Sequence, residues 1–178
     1  HVVLLNTDAY VPENWLHRLL LPILYDNSVA TVTPMTNNGE IANIPVICKA
    51  ELLAPGVADR IDIVAQQFDP LEALTEVPTG VGFCMAISSD WLDKVKSFDT
   101  SFGRGYGEEV DWCQRVRSLG GKHVLTGALF VEHRGGMSFG SEKQARIDAN
   151  NQIISQRYPS YDADVNGFVE NDAAIGSR

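Results

Sequence analysis

Four consecutive apolar residues, Val2 to Leu5, run straight into Asn6, Thr7 and Asp8, and this stretch limits the possible folds more than any other. A short unbroken apolar run is the pattern of a strand covered on both faces, as in a parallel or mixed sheet. In open α/β sheets ligands gather beyond the carboxyl ends of strands, so the polar triplet marks a candidate site as well as a strand end.

The following segments extend that reading. Pro12 suits a first helical residue, and Trp15, Leu16, Leu19, Leu20 and Ile23 recur at helical spacing, with Pro22 set to kink or shorten the helix. Val29 to Pro34 alternates as a second strand, and "TNNGE" after it carries turn residues. From there to Pro78 the chain is irregular, apart from one amphipathic helix carrying Val57, Ile61, Val64 and Phe68. Gly82 to Ser88 reads as a strand, and Ser89 or Asp90 starts a short helix. Glu108 and Glu109 open a helix reaching Leu119, with Val110, Cys113 and Val116 inward and Gly120 as its left-handed cap; Asp111 and Arg115 are spaced to pair across one turn. "HVLT" and "ALFVEH" read as two strands, the second ending on His133. "SEKQ", Ser141 to Gln144, has capping-box spacing and begins a terminal helix to about Arg157, followed by a polar, turn-rich tail. Strands alternating with helices predict an α/β fold with a mixed sheet flanked by helices.

Composition narrows the partners. With 178 residues, 44% hydrophobic and 21% charged, the chain fits one globular domain. A formal net charge of −9 supplies no basic stripe for nucleic acid, so an anionic ligand needs a local device such as a metal ion or a loop of N–H groups. Three widely spaced cysteines signal neither a disulfide framework nor a zinc site and suit a reducing cytoplasm. No apolar run approaches the roughly 20 residues that span a bilayer.

Asp8, the acidic pair and His133 then form one candidate constellation. Carboxylate and imidazole can share a divalent cation, Mn²⁺ slightly better than Mg²⁺, while a separate glutamate accepts a proton. Such a cation holds a diphosphate and neutralises its charge as it leaves. Helix electrostatics alone would also account for Glu108 and Glu109, at about 0.3–1 kcal/mol each. Trp15, Trp91 and Trp112 read as core or boundary residues, with stacking on sugars as the alternative. Arg104 and Arg134 read as solvated, with diphosphate contact as theirs. The loop from Phe102 to Gly107 is a lid or a plain connection.

"VVLLNTDAYVPENWL", "NNGEIANIP", "PTGVGFCMAIS", "FDTSFGRGYGEEVDWCQRVRSLG" and "FVEHRGGMSFG", in this order, resemble the later half of a family 2 glycosyltransferase with the glycosyltransferase A (nucleotide-diphospho-sugar transferase) fold. The resemblance covers nearly the whole chain. It implies that Asn6-Thr7-Asp8 stands at the Asp-x-Asp motif, with Asp8 and His133 on a Mn or Mg ion and Asn6 and Thr7 beside the nucleotide sugar. Gly80, Gly82 and Phe83 fall in the stretch lining the donor and acceptor cleft. Glu109 takes the place of the catalytic base, and Glu108 orients acceptor or donor. The implied reaction is inverting transfer of one sugar from a nucleotide-diphosphate donor to a hydroxyl of a glycan or lipid-linked glycan, in bacterial polysaccharide biosynthesis, in the cytoplasm or at the inner face of the membrane.

Departures from the family pattern are Asn6 in place of an acid, which weakens the metal site, Glu109 in place of Asp, and no Gln-x-x-Arg-Trp motif after Arg115, which favours single transfer over processive synthesis. The resemblance also implies that residues 1–178 are a fragment lacking the nucleotide-binding half. Two other readings therefore stand beside the enzyme: a folded but inactive half-domain that self-associates through an exposed strand edge, and a non-catalytic sugar-binding or scaffolding module.

Overall fold

The computed structural model describes residues 1–103, 106–135 and 141–178, the last stretch by backbone alone for its first four residues. In chain order the elements are β1 (Val2–Leu5), β2 (Ala9–Tyr10), α1 (Trp15–Tyr25), β3 (Val29–Met35), α2 (Val57–Ala65), β4 (Leu74–Val77), β5 (Cys84–Ile87), α3 (Ser89–Lys94), α4 (Glu108–Ser118), β6 (Lys122–Phe130), β7 (Glu132–His133), α5 (Ser141–Arg157) and α6 (Tyr161–Asn171). Five strands form a sheet in the order β1-β5-β3-β6-β4, while β2 and β7 pair separately. The sheet is mixed: β3 and β6 run parallel, and the β1–β5, β3–β5 and β4–β6 pairs are antiparallel.

Helices cover both faces, and β5 shows why. Its alternate residues Cys84 and Ala86 join a core with Leu19 and Ile23 of α1, whereas Met85 and Ile87 join Trp91 of α3 and Trp112, Cys113 and Val116 of α4. A third cluster gathers Ala65 of α2, Leu125 and Phe130 of β6, and Phe168 of α6. Trp91 and Trp112 are thus core residues, and each indole N–H finds a carbonyl, Asn27 at 2.9 Å and Val95 at 2.7 Å. Burial pushes the Cys84 and Cys113 thiols up to about 12, which leaves both unreactive at neutral pH.

Several elements differ from the sequence reading. The run from Val2 to Leu5 lies at the sheet edge, with Val3 and Leu4 packed on opposite faces but Val2 and Leu5 exposed. An apolar run records covered faces and says nothing about a neighbour on each side. Helix α1 starts at Trp15 after a left-handed Asn14, later than Pro12, and continues through Pro22 to Tyr25. In α2 the inward side is Ala58, Ile61, Asp62 and Ala65, with Val64 and Phe68 exposed. "HVLT" and "ALFVEH" are largely one strand, β6, which jumps in register against β3 between Pro34 and Met35 before β7 adds its two residues. The polar tail folds as α6, because Val165, Phe168 and Val169 make an apolar stripe that packs on the third cluster. The unread strand β4 closes the far edge. The capping-box side chains Ser141 to Gln144 and Arg104 lie outside what is described.

The central strand β3 is buried at all of its positions, threonines included. Thr33 accepts from the Val81 amide at 3.1 Å, and Thr31 shares a 2.7 Å hydrogen bond with Nδ1 of His123, whose Nε2 meets the Cys113 carbonyl at 2.9 Å. Burial lowers the His123 pKa to about 4. The unfolded chain, titrating near 6.5, binds the extra proton between those values, so this residue's contribution is intact at neutral pH and falls by about 3 kcal/mol as pH drops from about 6.5 to about 4. Urea unfolding at pH 7 and pH 4.5 is expected to show a larger acid loss in the parent protein than in His123→Gln, which takes up no proton. Equal losses would show that His123 is not the titrating group.

Candidate active site

The site begins where β1 stops. Asn6 donates its amide to the Phe83 carbonyl at 2.8 Å, and Ala9 donates to the Asn6 carbonyl at 3.1 Å, so Asn6, Thr7 and Asp8 form a tight turn into β2. In the β2–β7 pair Ala9 stands opposite His133, and the Arg134 amide reaches the Asp8 carbonyl at 3.0 Å. That register sets Asp8 Oδ1 3.3 Å from His133 Nε2, although 125 residues separate them. Thr7 is exposed at the tip of the turn.

His133 is held on every side. Asn37 takes its backbone amide at 2.8 Å and donates to its carbonyl at 3.1 Å, and the ring stacks on Phe83 with centroids 5.1 Å apart. Ring Nδ1 contacts the Asn38 carbonyl. A carbonyl only accepts, so Nδ1 carries the hydrogen, which makes Nε2 the ring nitrogen whose lone pair can ligate a cation. Asn6 Nδ2 donates to this Nε2 at 3.3 Å. A lone pair and a carboxylate oxygen 3.3 Å apart suit a shared cation, since neighbouring octahedral ligands at bonds near 2.1 Å lie about 3 Å apart. Gly135 leaves the place open: a Cβ there would stand 2.9 Å from His133 Nε2 and 3.2 Å from Asp8 Oδ2.

These donors fit a cation whose remaining ligands come from water and phosphate, the usual habit of Mg²⁺ and its relatives. Among the described residues no group of three or more His, Cys, Asp or Glu side chains could hold a metal on its own. Asp8 and His133 are thus a partial set.

The acidic pair sits at the start of α4, after a left-handed Gly107 whose amide donates to Glu109 Oε2 at 3.3 Å. Glu109 Oε1 lies 3.5 Å from where a Gly82 Cβ would be, so glycine there lets the carboxylate pack against the strand approach. Gly82 precedes Phe83, and this dipeptide joins the glutamate to the imidazole. Burial raises the Glu109 pKa, the Glu108 charge adds to it and the Glu40 charge adds a little, and together they outweigh its backbone N–H contacts. A carboxylate present only for the helix dipole would be stabilised as the anion, so the balance runs against that account. Glu108 Oε2 is buried with no hydrogen-bond partner among the described residues, an arrangement that natural structures seldom leave without a ligand or function.

The remaining candidates separate. Gly80 is buried, where a Cβ would strike Met85 and Thr31, so packing behind the site accounts for its being glycine. Phe83 is a platform for the His133 ring. Arg134 pairs with Glu132 at 3.1 Å and lies 3.7 Å over the Tyr10 ring. Reading the sequence missed Asn37 and Asn38, which it treated only as turn residues, and Asn150, whose one local signal is a poor helix former inside α5. Surface cavities of about 450 and 300 Å³ are lined by other residues, including Arg115 and Arg157 in the first and Ile61 and Phe130 in the second. Among the described residues no helix is long and apolar enough to cross a membrane.

No protein-family model matches the chain, and no curated protein matches it. Among solved structures it is similar to GalNAc-T7 in a crystal structure with UDP, GalNAc and Mn²⁺, at a TM-score of 0.51 and 16% identity. The match covers 94% of this chain and 37% of that one, so the chain spans little more than a third of its neighbour's length. Likeness at that identity speaks for architecture and does not single out family 2. The mixed sheet flanked by helices on both faces is a partial glycosyltransferase A fold.

Proposed function

We propose that the chain carries the catalytic part of a metal-dependent, inverting glycosyltransferase that moves a sugar from a nucleoside-diphosphate donor to an acceptor hydroxyl. The single observation that carries the reading is the Asp8–His133 pair, two donors 3.3 Å apart with the imidazole tautomer set by Asn38. The solved neighbour's UDP and Mn²⁺ support the same chemistry. A divalent cation bound there would supply Lewis-acid neutralisation of the diphosphate leaving group.

The chain's own residues divide the remaining work. Asp8 and His133 present the oxygen and nitrogen ligands, and a cation bound there would take over the Nε2 lone pair that now accepts the Asn6 side-chain N–H. Glu109 accepts the proton of the acceptor hydroxyl as it attacks the anomeric carbon. Its raised pKa matches a base that must hold a proton after the step. Glu108 has a buried oxygen ready to receive a hydroxyl of the acceptor or donor. One in-line displacement inverts the anomeric carbon without a covalent intermediate.

Titration calorimetry with Mn²⁺ and a panel of nucleotide sugars tests this. At least one donor is expected to bind in the presence of Mn²⁺, and Asp8→Ala is expected to weaken that binding at least tenfold, the worth of about 1.4 kcal/mol. Donor affinity that is the same with and without Mn²⁺ would remove the metal from the reading. Among the described residues no strand pairs with the outer edge of β1, and this edge, with Val2 and Leu5 exposed, favours a second reading: a folded half-domain that needs further chain, or a second copy, beside β1 before it binds a donor. No binding by any donor to residues 1–178 would favour that one.

A further inference from the structure

Asn150, on α5, projects toward the segment that leads into α4 and is 95% buried. Its Nδ2 donates to the Phe102 carbonyl at 3.0 Å and to the Tyr106 carbonyl at 2.7 Å. The second bond matters most. Tyr106 and Gly107 share one peptide group: its carbonyl accepts from Asn150, and its N–H donates to Glu109 Oε2 at 3.3 Å. The group is an unfavourable one to hold, because Tyr106 has φ of +72° and Gly107 has φ of +112°, and a non-glycine residue at positive φ needs support from its surroundings. A Cβ on Gly107 would stand 3.0 Å from the Phe102 ring and 3.5 Å from the Asn150 Cβ, so the asparagine packs directly on this peptide.

We propose that Asn150 is a positioning residue for Glu109, acting through the Tyr106–Gly107 peptide that it holds by the carbonyl and that holds the carboxylate by the N–H. This rests on the reading of Glu109 as the base. Helix α5 thereby sets the geometry of a group on α4. Hydrogen bonds in series polarise one another, so the donor at the far end also strengthens the N–H that faces the carboxylate. The charged and titratable groups acting on Glu109 are Glu108 beside it and Glu40, while Tyr161 and Cys113 respond to its charge. None of them replaces the Gly107 donor.

The test is an NMR titration of residues 1–178, following the Gly107 amide proton. In the parent protein that proton is expected to move downfield as Glu109 ionises, and the movement should vanish in Glu109→Gln. In Asn150→Ala, and in the isosteric Asn150→Asp, which has no N–H to give, the titration of Gly107 is expected to be lost while the fold is retained. A purely structural asparagine would lower Tm and leave the Gly107 titration unchanged, and that result would overturn the proposal. If neither variant folds, hydrogen exchange of the Gly107 amide in the parent protein decides: protection supports the proposal, and exchange at the rate of an open amide overturns it. With a donor and acceptor in hand, Asn150→Ala should cut turnover ten- to hundredfold at unchanged donor affinity, the worth of one hydrogen bond to a charged group. The NMR readout needs no catalysis. Turnover that persists in Glu109→Gln would refute the base while leaving the Asn150 relay standing.

Discussion

Glu109→Gln is expected to lower transfer by about 10²–10⁴-fold, the usual contribution of a positioned base, while nucleotide-sugar binding stays within a few-fold of the parent protein. The substitution keeps the shape and the contacts with Gly82 and the Gly107 amide but takes away the proton acceptor. A second signature separates lost chemistry from lost fold. Because burial and Glu108 raise the Glu109 pKa above its unfolded value, the ionised side chain opposes folding at neutral pH. The residue's favourable contribution is present below the unfolded pKa and lost as pH rises through the folded one. Glutamine carries no such charge, so the variant should melt higher than the parent at pH 7 and show less change between pH 4 and pH 7. The raised pKa also places the acid limb of the pH–rate profile above that of an ordinary carboxylate. Glu108→Gln, which removes the largest neighbouring charge, should shift the limb downward. A Glu109→Gln protein that lost donor affinity along with turnover would place this side chain at the donor instead.

The second large effect is on stability. Arg18 and Asp62 meet through two hydrogen bonds, 2.9 and 2.8 Å, with Asp62 only 2% exposed. Arg18 also donates to the Ala128 carbonyl at 2.9 Å, and Asp62 takes the Phe130 amide at 3.1 Å and the Gln66 side chain at 2.9 Å. The pair thus ties α1 and α2 to β6. Asp62→Ala would leave a guanidinium buried without its counter-charge and orphan the Phe130 N–H, at a cost of about 3–5 kcal/mol. For a chain of this length that lowers Tm by roughly 10 °C. Replacing both partners together, Arg18→Met with Asp62→Leu, should recover the part of the loss that comes from the isolated charge and leave the cost of the Phe130 N–H. Denaturant unfolding of the two single variants and the double variant measures this directly. Singles that lose less than about 1 kcal/mol would mean that water reaches the pair.

The residues of the candidate site could be picked out of the sequence because their signals are local. Asn6-Thr7-Asp8 follows an apolar run, Glu108 and Glu109 follow glycines at a helix start, and His133 ends an apolar strand. Strand ends and helix starts on one edge of an α/β sheet converge, and the structure brings Asp8 to His133 through the β2–β7 register. Hydrogen-bonding context was not legible. Asn37 and Asn38 looked like turn residues, yet one grips the His133 backbone and the other sets its tautomer. The apolar residues of α2 do not all face the core: Asp62 is buried while Val64 and Phe68 are exposed. The buried charge has a partner 44 residues away, and no periodicity can announce it.

By itself the amino-acid sequence determined the α/β class and the main strands and helices, and it offered a short set of candidate side chains. Hydrophobic spacing and end signals act within a turn or two of chain, so they can be read in one dimension. Only the tertiary structure decided that Val2 to Leu5 is an edge strand, that β6 runs unbroken past Gly127, that the tail from Tyr161 is helical, and that Asn150 reaches Glu109 through a peptide plane. Those outcomes depend on which distant group arrives to accept a hydrogen bond or cover a face, and that choice is made by packing in three dimensions.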